Sequence, residues 1–302
     1  MVTLFRCLLR KVRSRPVTDI IILIALRFML NLTLFKFQFD KNGNLIKFDG
    51  TSILLNSSIP RDDDFLQLLE VYRPNITSLE NNVVGTTKVY LDGRHEICRT
   101  DECNLGNFIA DSMVYARVIE NQKNIFWTDA AIAFIMGGGI RSSVEKRLDG
   151  TITETDVLTV LPFNNNVYVT KISGKTLRNA LEHSANIRKY DSNGGFLQMS
   201  GVQVTYDYNR NYGDRVSFVR VRCSECDVPI YEELVDKKMY NVIVPEFLLT
   251  GGDGHIFGNE ENDTSPIRLQ KNDHNILVQY LNAHNFYLMK NKKDRVHQDR
   301  VS

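Results

Sequence analysis

A short apolar run that ends in three glycines constrains the fold more than any other feature of the chain. Ile132–Met136 predicts a buried strand, and this strand runs directly into Gly137–Gly139. Successive glycines let a backbone approach a ligand closely and point N–H groups at it. Arg141 follows, and its guanidinium could pair with a phosphate or carboxylate. The alternative interpretation is a tight strand-to-loop turn followed by a surface arginine.

Strand and helix patterns alternate along the rest of the chain. Apolar and polar residues alternate over residues 35–46 into an Asn-Gly turn, which predicts a β-hairpin. Further strands are predicted at residues 83–91, 167–172, 202–208, 216–221 and 240–244, and helices at 60–72, 104–120, 275–285 and from Ser173 onward. The helix at 60–72 is expected to end before Pro74. The mixture predicts a mixed α/β (α+β) fold.

Composition narrows the class of protein only a little. The chain has 302 residues, of which 43% are hydrophobic and 24% charged, as in ordinary globular proteins. The net charge is +1, which argues against a nucleic-acid-binding protein.

Two pairs of cysteines lie close together in the sequence. Cys98 and Cys103 enclose a short loop, and Cys223 and Cys226 form a Cys-x-x-Cys motif, with Cys7 left over. Such pairs form local disulfides in exported proteins or bind zinc in cytosolic ones. Glycosylation sequons at four asparagines favour export and therefore disulfides; they begin at Asn31, Asn56, Asn75 and Asn262.

The two ends of the chain differ in character. Residues 1–33 combine basic residues with an apolar run, which resembles a signal peptide's start and middle without its cleavage site. They are interpreted as a leader that does not fit the pattern well, or as an anchor. Residues 291–302 are polar, and no clear membrane anchor is predicted.

A second glycine-rich loop, Gly251-Gly252-Asp253-Gly254, contains a carboxylate. Such a carboxylate can accept hydrogen bonds from a ribose diol, or it can simply cap its own turn. Phe163 and Phe247 lie in or beside loops, where two rings could bracket a flat base. The alternative is that both rings belong to satellite parts of the core.

The histidines do not form a metal-binding pattern. The six histidines are scattered, and Asp253-Gly254-His255 is interpreted as a chance match to a metal motif. His183 is predicted to be structural. No metal site and no catalytic residue are therefore predicted within this chain.

Many short motifs in register resemble the animal ecto-5'-nucleotidase/apyrase family. They are Asn56-Ser-Ser-Ile-Pro60, Tyr90-Leu-Asp-Gly93, Cys103-Asn-Leu-Gly-Asn107, Gly137-Gly-Gly-Ile-Arg-Ser142, Gly150-Thr-Ile-Thr153, Val160-Leu-Pro-Phe163, Glu182-His-Ser184, Gly201-Val-Gln-Val-Thr-Tyr-Asp207 and Gly251-Gly-Asp-Gly254. The resemblance extends from about Phe35 to near the end of the chain. It implies a two-domain enzyme whose N-terminal metallophosphoesterase domain holds two divalent, zinc-type metals and whose C-terminal domain binds the nucleotide.

The resemblance also implies a division of this chain. Residues 1–33 are an unmatched leader, 34–59 the end of the metallophosphoesterase domain, and 60–82 the interdomain linker helix. Residues 83–290 are the 5'-nucleotidase C-terminal domain, and 291–302 are a polar tail. The metal-binding catalytic domain is expected to be largely missing, so this chain alone is expected to be inactive.

The family's substrate-binding residues map onto specific positions here. The resemblance implies that Phe163 and Phe247 stack on the base and that Asp253 binds the ribose hydroxyls. It implies that Arg99 and Arg141, with the backbone of Gly138 and Gly139, orient the ribose–phosphate portion, and that Cys98–Cys103 and Cys223–Cys226 are the family's two short disulfides.

The chain departs from the family at two places. Met136 replaces an asparagine that contacts the base, so a broader nucleotide range is expected; Ala110 and Ala133 replace the cysteines of a further disulfide. The predicted function is substrate recognition in a secreted hydrolase of extracellular nucleotides (AMP, with ADP and ATP as further candidates), and the predicted partners are a nucleotide or nucleoside and a second copy through the C-terminal domain. The alternative is an inactive nucleotide-binding protein or a non-functional fragment.

Overall fold

The structure, a computed structural model of the 302-residue chain, describes residues 18–25, 31–121, 125–190, 194–258, 265–283 and 296–298. The chain divides into two compact units, Met1–Arg73 and Pro74–Ser302. No helix in the described part of the chain is long and apolar enough to cross a lipid bilayer.

The first unit contains a three-stranded antiparallel sheet of β1 (Thr18–Ala25), β2 (Asn31–Phe39) and β3 (Leu45–Leu54). The predicted hairpin is confirmed, because the Asp40 carboxylate accepts the amides of Asn42 and Asn44, each at 2.8 Å, in the β2–β3 turn. The strand β1 lies within residues that were assigned to the leader; its β-branched residues suit a strand.

The helix α1 (Asp63–Asn81) corrects one prediction. It was expected to end before Pro74, but it continues through that residue. A proline inside a helix removes one hydrogen bond to the carbonyl four residues earlier. That carbonyl belongs to Glu70, which is exposed, so water can satisfy it.

The second unit contains three sheets and most of the helices. Its strands are β4 (Val83–Thr86), β5 (Ile132–Met136), β6 (Thr151–Thr153), β7 (Val167–Ser173), β8 (Leu197–Ser200), β9 (Val202–Tyr206), β10 (Val216–Arg222), β11 (Tyr231–Glu233), β12 (Met239–Pro245), β13 (Ile267–Arg268) and β14 (Val296–Gln298). Its helices are α2 (His95–Cys98), α3 (Asn104–Glu120), α4 (Glu154–Val160), α5 (Gly174–Tyr190), α6 (Glu246–Leu249) and α7 (Asp273–Ala283). The mixed α/β class is thus confirmed.

The five-stranded sheet has the order β13-β7-β12-β5-β8, and the four-stranded sheet has the order β11-β10-β9-β14. The remaining pair is β4-β6. Strand β5 is buried on both faces, which explains its continuous apolar sequence. Ala133 and Ile135 face a cluster that includes α3, α4 and α7, while Ile132, Phe134 and Met136 face the cluster under α5.

Most of the predicted elements form, with shifted ends. Helix α3 begins and ends as predicted, and the Ser173 hydroxyl accepts the Thr176 amide at 3.1 Å at the start of α5. The strand predicted at 83–91 stops at Thr86, since the Thr87 hydroxyl bonds the Val89 backbone in place of a neighbouring strand. The last helix begins at Asp273, and residues 284–285 lie outside the described residues.

Candidate functional site

Four loops meet at one edge of the five-stranded sheet, and strand direction places them there. Strands β5 and β12 are parallel neighbours, so the Gly137–Gly139 turn and helix α6 follow them at the same edge. Strands β7 and β8 run antiparallel to these two, with Val167 opposite Pro245 and Leu197 opposite Met136. The loops before β7 and β8 therefore lie at this edge too.

The triple glycine packs against the backbone of the first disulfide loop. A side chain at Gly137 would place its Cβ 2.0 Å from the Cys98 carbonyl oxygen and 3.0 Å from the Arg99 Cα. Only glycine allows this approach. Arg99, which is buried, therefore lies beside the glycine turn.

Buried Gln198 holds the same loop in place. Its side-chain amide donates to the carbonyls of Cys98, at 2.9 Å, and Asp101, at 2.7 Å, and its oxygen accepts the Cys103 amide at 2.9 Å. One side chain from β8 thus satisfies three backbone groups of the loop that carries Arg99.

The sequence suggested that the glycine amides point outward at a ligand. The amides of Gly137 and Gly138 instead bond within the protein. The Gly137 amide donates to the Phe196 carbonyl at 2.8 Å, and the Gly138 amide donates to the Gly194 carbonyl at 2.7 Å. The loop before β8 already engages these two groups. The glycines therefore serve close backbone packing, and the anion-binding expectation has no support from the amides of Gly137 and Gly138.

Arg141 lies over the ring of Phe163. Its guanidinium carbon is 5.7 Å from the ring centroid, within the range of a cation–π contact. The same guanidinium donates to the Gly138 carbonyl at 3.2 Å. Arg141 and Phe163 are both exposed, so a charged group and an aromatic face are presented together.

A reciprocal pair of hydrogen bonds joins the Phe163 loop to α6, which carries Phe247. The Glu246 amide donates to the Asn166 carbonyl at 2.8 Å, and the Asn166 side chain donates to the Glu246 carboxylate at 2.8 Å. Phe247 packs so closely on Gly252 that a Cβ there would meet its ring at 2.0 Å. Both rings remain exposed, Phe163 by 57% and Phe247 by 40%.

Asp253 lies in the turn that follows α6 and adopts a left-handed backbone conformation with φ 51°. Its Oδ2 is 3.7 Å from where a Cβ of Gly194 would lie, so the carboxylate faces the loop beside the glycine turn. The Asp253 carbonyl accepts a hydrogen bond from His183 Nε2 at 2.8 Å.

The two cysteine pairs form disulfides, Cys98–Cys103 and Cys223–Cys226. Within the described residues, the metal-ligand types that come close together are Cys223, Cys226 and Glu232. Because the two sulfurs are bonded to each other, neither offers the thiolate that zinc requires. The zinc interpretation of the cysteines is wrong. Ala110 and Ala133, which replace the cysteines of the family's further disulfide, are both fully buried in one apolar cluster.

Within the described part of the chain, the loops that carry the seven predicted site residues contact one another at this edge: Arg99, Gly138, Gly139, Arg141, Phe163, Phe247 and Asp253. Sequence reasoning missed the supporting residues. The paired glycines at 194 and 195 could have signalled a close backbone approach. Gln198, Asn166 and Glu246 gave no local signal, because their partners are at least 80 residues away in sequence.

The chain resembles known proteins in sequence. A family model described as the 5'-nucleotidase C-terminal domain matches residues 83–259. The 5'-nucleotidase of Bos taurus is 41% identical over 219 residues, covering 72% of this chain and 38% of that protein. The snake venom 5'-nucleotidase of Crotalus adamanteus is 39% identical over 230 residues, covering 75% of this chain and 39% of that protein.

A solved structure agrees. The 5'-nucleotidase precursor from Thermus thermophilus superposes with a TM-score of 0.67 and 28% identity, over 91% of this chain and 51% of that one. The fold and the sequence matches therefore define the class of this chain: it is a domain of the kind found in nucleotide hydrolases. The chain belongs to the 5'-nucleotidase C-terminal domain family, and it spans about two-fifths of the length of the curated relatives it matches.

Substitution of Gly137 should destabilise the fold, whereas the same change at Gly139 should not. In Gly137→Ala the new methyl group would meet the Cys98 carbonyl oxygen at 2.0 Å. We expect the free energy of unfolding to fall by about 3 kcal/mol, the upper range for an overpacked site. At Gly139 the nearest atom would be 3.6 Å away, an ordinary contact. Chemical denaturation under non-reducing conditions measures both, and equal losses would contradict this packing.

His255 should make the protein less stable in mild acid. Burial lowers its pKa from 6.5 to about 4, against a smaller opposing effect of the hydrogen bond to Gly195. Between these pH values the unfolded chain binds a proton that the folded chain does not, so stability falls as pH decreases from 6.5 to 4. The loss should be about 3 kcal/mol.

The control for this titration is His255→Gln, which retains a donor for the Gly195 carbonyl and removes the ionisable ring. Urea denaturation across that pH range should give a flatter profile for this variant than for the wild type. Parallel profiles would show that another group controls the acid sensitivity.

Proposed function

We propose that this chain is the substrate-recognition part of a 5'-nucleotidase/apyrase-type hydrolase that acts on AMP, with ADP and ATP as further substrates. The observation that carries the proposal is the pair of exposed rings, Phe163 and Phe247, on two loops joined by Asn166 and Glu246. Large apolar side chains exposed at one loop edge are typical of binding sites.

Two aromatic rings suit a nucleobase because every base offers a flat π-face. Stacking of a base on an aromatic side chain contributes about 1–3 kcal/mol. The Asn166–Glu246 hydrogen bonds restrain the two loops, so little conformational entropy is lost when a base enters. We assign the base to the gap between Phe163 and Phe247.

The polar groups around the rings suit the rest of a nucleotide. We assign the ribose hydroxyls to Asp253, since a carboxylate accepts two hydrogen bonds from a diol. Arg99 and Arg141 would orient the phosphate side, with the backbone of Gly138 and Gly139 alongside. The contact of Arg141 with the Phe163 ring supports this order, because it sets a cation next to the base position.

Among the described residues, the ligand types that come close together do not suit a two-metal hydrolytic site. The close group of ligand types within the described residues is Cys223, Cys226 and Glu232, and its sulfurs form a disulfide. Metal-bound hydroxide would have to come from the N-terminal part of a family protein. In this proposal, the chain binds and orients the nucleotide but does not activate the attacking water.

We further propose that the protein acts outside the cell and pairs with a second copy through this domain. The two disulfides support an oxidising compartment, and a matching relative is a snake venom protein.

Removal of either ring should weaken AMP binding. We expect Phe163→Ala and Phe247→Ala each to raise the Kd by about 5- to 100-fold, the equivalent of one lost stacking interaction. Isothermal titration calorimetry of AMP and adenosine measures this change. Phe163→Tyr retains the ring and should bind as the wild type does.

A matched control for the ring variants is Phe218→Ala. Phe218 is similarly exposed, by 44%, but it lies on β10 in the four-stranded sheet. The Phe218→Ala substitution should leave the Kd for AMP unchanged. If all three alanine variants bind AMP as the wild type does, the rings do not hold the base.

The 302-residue polypeptide alone should release no phosphate from AMP, ADP or ATP. It is expected to orient the nucleotide without supplying metal-activated water. A phosphate-release assay with added zinc, magnesium or calcium measures this. Sustained turnover that Phe163→Ala abolishes would place catalysis within the chain and contradict this part of the proposal.

A further inference from the structure

Two histidines lie directly beneath the Asp253 turn. His183, from α5, contacts the Asp253 carbonyl oxygen through Nε2 at 2.8 Å. His255, two residues after Asp253, contacts the Gly195 carbonyl oxygen through Nε2 at 2.7 Å. The two imidazole rings meet edge to face, with centroids 4.6 Å apart and planes at 88°.

The partners of these rings fix the tautomer of each. A carbonyl oxygen only accepts hydrogen bonds, so Nε2 must carry the proton in both His183 and His255. In His255 the other nitrogen, Nδ1, is buried without a hydrogen-bond partner among the described residues. Protonation there would bury an uncompensated charge, so His255 remains a neutral donor. Both rings therefore donate to backbone carbonyls at the site.

The contact with His183 restrains a strained peptide. Asp253 has φ 51° and Gly254 has φ 80°, and a non-glycine residue in the left-handed region is strained and persists only where its surroundings hold it. His183 binds the carbonyl oxygen of Asp253 itself, so it fixes the peptide plane between these two residues. That plane, together with the Asp253 ψ angle of 23°, sets the direction in which the Asp253 side chain leaves the backbone.

The contact with His255 holds the neighbouring loop. Gly195 follows Gly194, whose Cβ would lie 3.7 Å from Asp253 Oδ2 and 2.7 Å from the Gly138 Cα. The histidine pair thereby connects the Asp253 turn with the backbone beside the triple glycine. A shift of His183 would move the carboxylate relative to both loops.

We propose that His183 is a positioning residue of the ribose subsite: by donating to the Asp253 carbonyl it aims the carboxylate at the sugar hydroxyls and so sets the preference for ribose over deoxygenated sugars. The proposal rests on the proposed function, in which Asp253 binds ribose. His183 itself does not touch the nucleotide; it acts through Asp253.

The test compares two nucleotides that differ only at the sugar. AMP and 2',3'-dideoxyadenosine monophosphate are titrated calorimetrically into the wild type, His183→Ala and His183→Gln. We expect His183→Ala to weaken AMP binding about tenfold, the equivalent of one lost hydrogen bond between the Asp253 carboxylate and a sugar hydroxyl. Binding of the dideoxy analogue should change by less than about twofold. His183→Gln, whose amide can donate at similar reach, should restore the AMP preference.

Asp253→Asn completes a double-mutant cycle. The Asp253→Asn variant should bind AMP and the dideoxy analogue with equal affinity. Addition of His183→Ala to Asp253→Asn should cause no further loss of AMP affinity. Thermal unfolding of every variant shows whether the fold is intact. The paired ligands also separate sugar recognition from a general loss of folded protein, which would affect both.

The outcomes distinguish the inference from the proposed function. If the wild type prefers AMP and Asp253→Asn removes that preference, but His183→Ala weakens both nucleotides equally, His183 is only structural and the inference is overturned while nucleotide binding stands. If the wild type binds AMP no better than the dideoxy analogue, the ribose role of Asp253 and the inference fail together. If neither nucleotide binds, the proposed function fails as well.

Discussion

The parallel pairing of β5 with β12 is the constraint on which the candidate site depends. Val242 lies opposite Ile132 and Ile243 opposite Ala133, so both strands end at the same edge of the sheet. The triple glycine follows one strand and the Phe247 helix follows the other. Since β7 and β8 run the other way, the loops that precede them reach the same edge. Four segments far apart in sequence therefore converge, because the directions of the strands place all four at one edge of the sheet.

Specific hydrogen bonds help to hold these loops in position. Gln198 holds the loop of Arg99, the Asn166–Glu246 pair joins the two phenylalanine loops, and the histidines hold the Asp253 turn. Gln198 and His183 satisfy backbone groups with their side chains, whereas Asn166 and Glu246 pair backbone with backbone and side chain with side chain. Loops restrained in this way lose little freedom on binding, so the exposed rings and charges can be preorganised at modest cost in stability.

The sequence predicted the elements and the residues of this edge better than it predicted how they are supported. Helix α3 follows from apolar residues at helical spacing, and strand β5 follows from a short continuous apolar run. The family motifs supplied Arg99 and Asp253. The roles of Gln198 and His183 could not be predicted, since each depends on a backbone group brought near by the tertiary fold. The prediction that the helix ends before Pro74 was wrong, because an exposed helix tolerates one lost hydrogen bond.

In the proposed function, Met136 limits which features of a nucleotide base the site can recognise. The side chain is only 7% exposed and belongs to the apolar cluster under α5, and a thioether offers no useful donor or acceptor. A base held between two rings gains stacking energy from its faces, and stacking differs little from one base to another. Discrimination between bases needs polar groups that meet the base edge, and here the position next to the glycines supplies none. We therefore expect affinity from the rings and selectivity mainly from the sugar end, which makes the orientation of Asp253 the more decisive feature of the site.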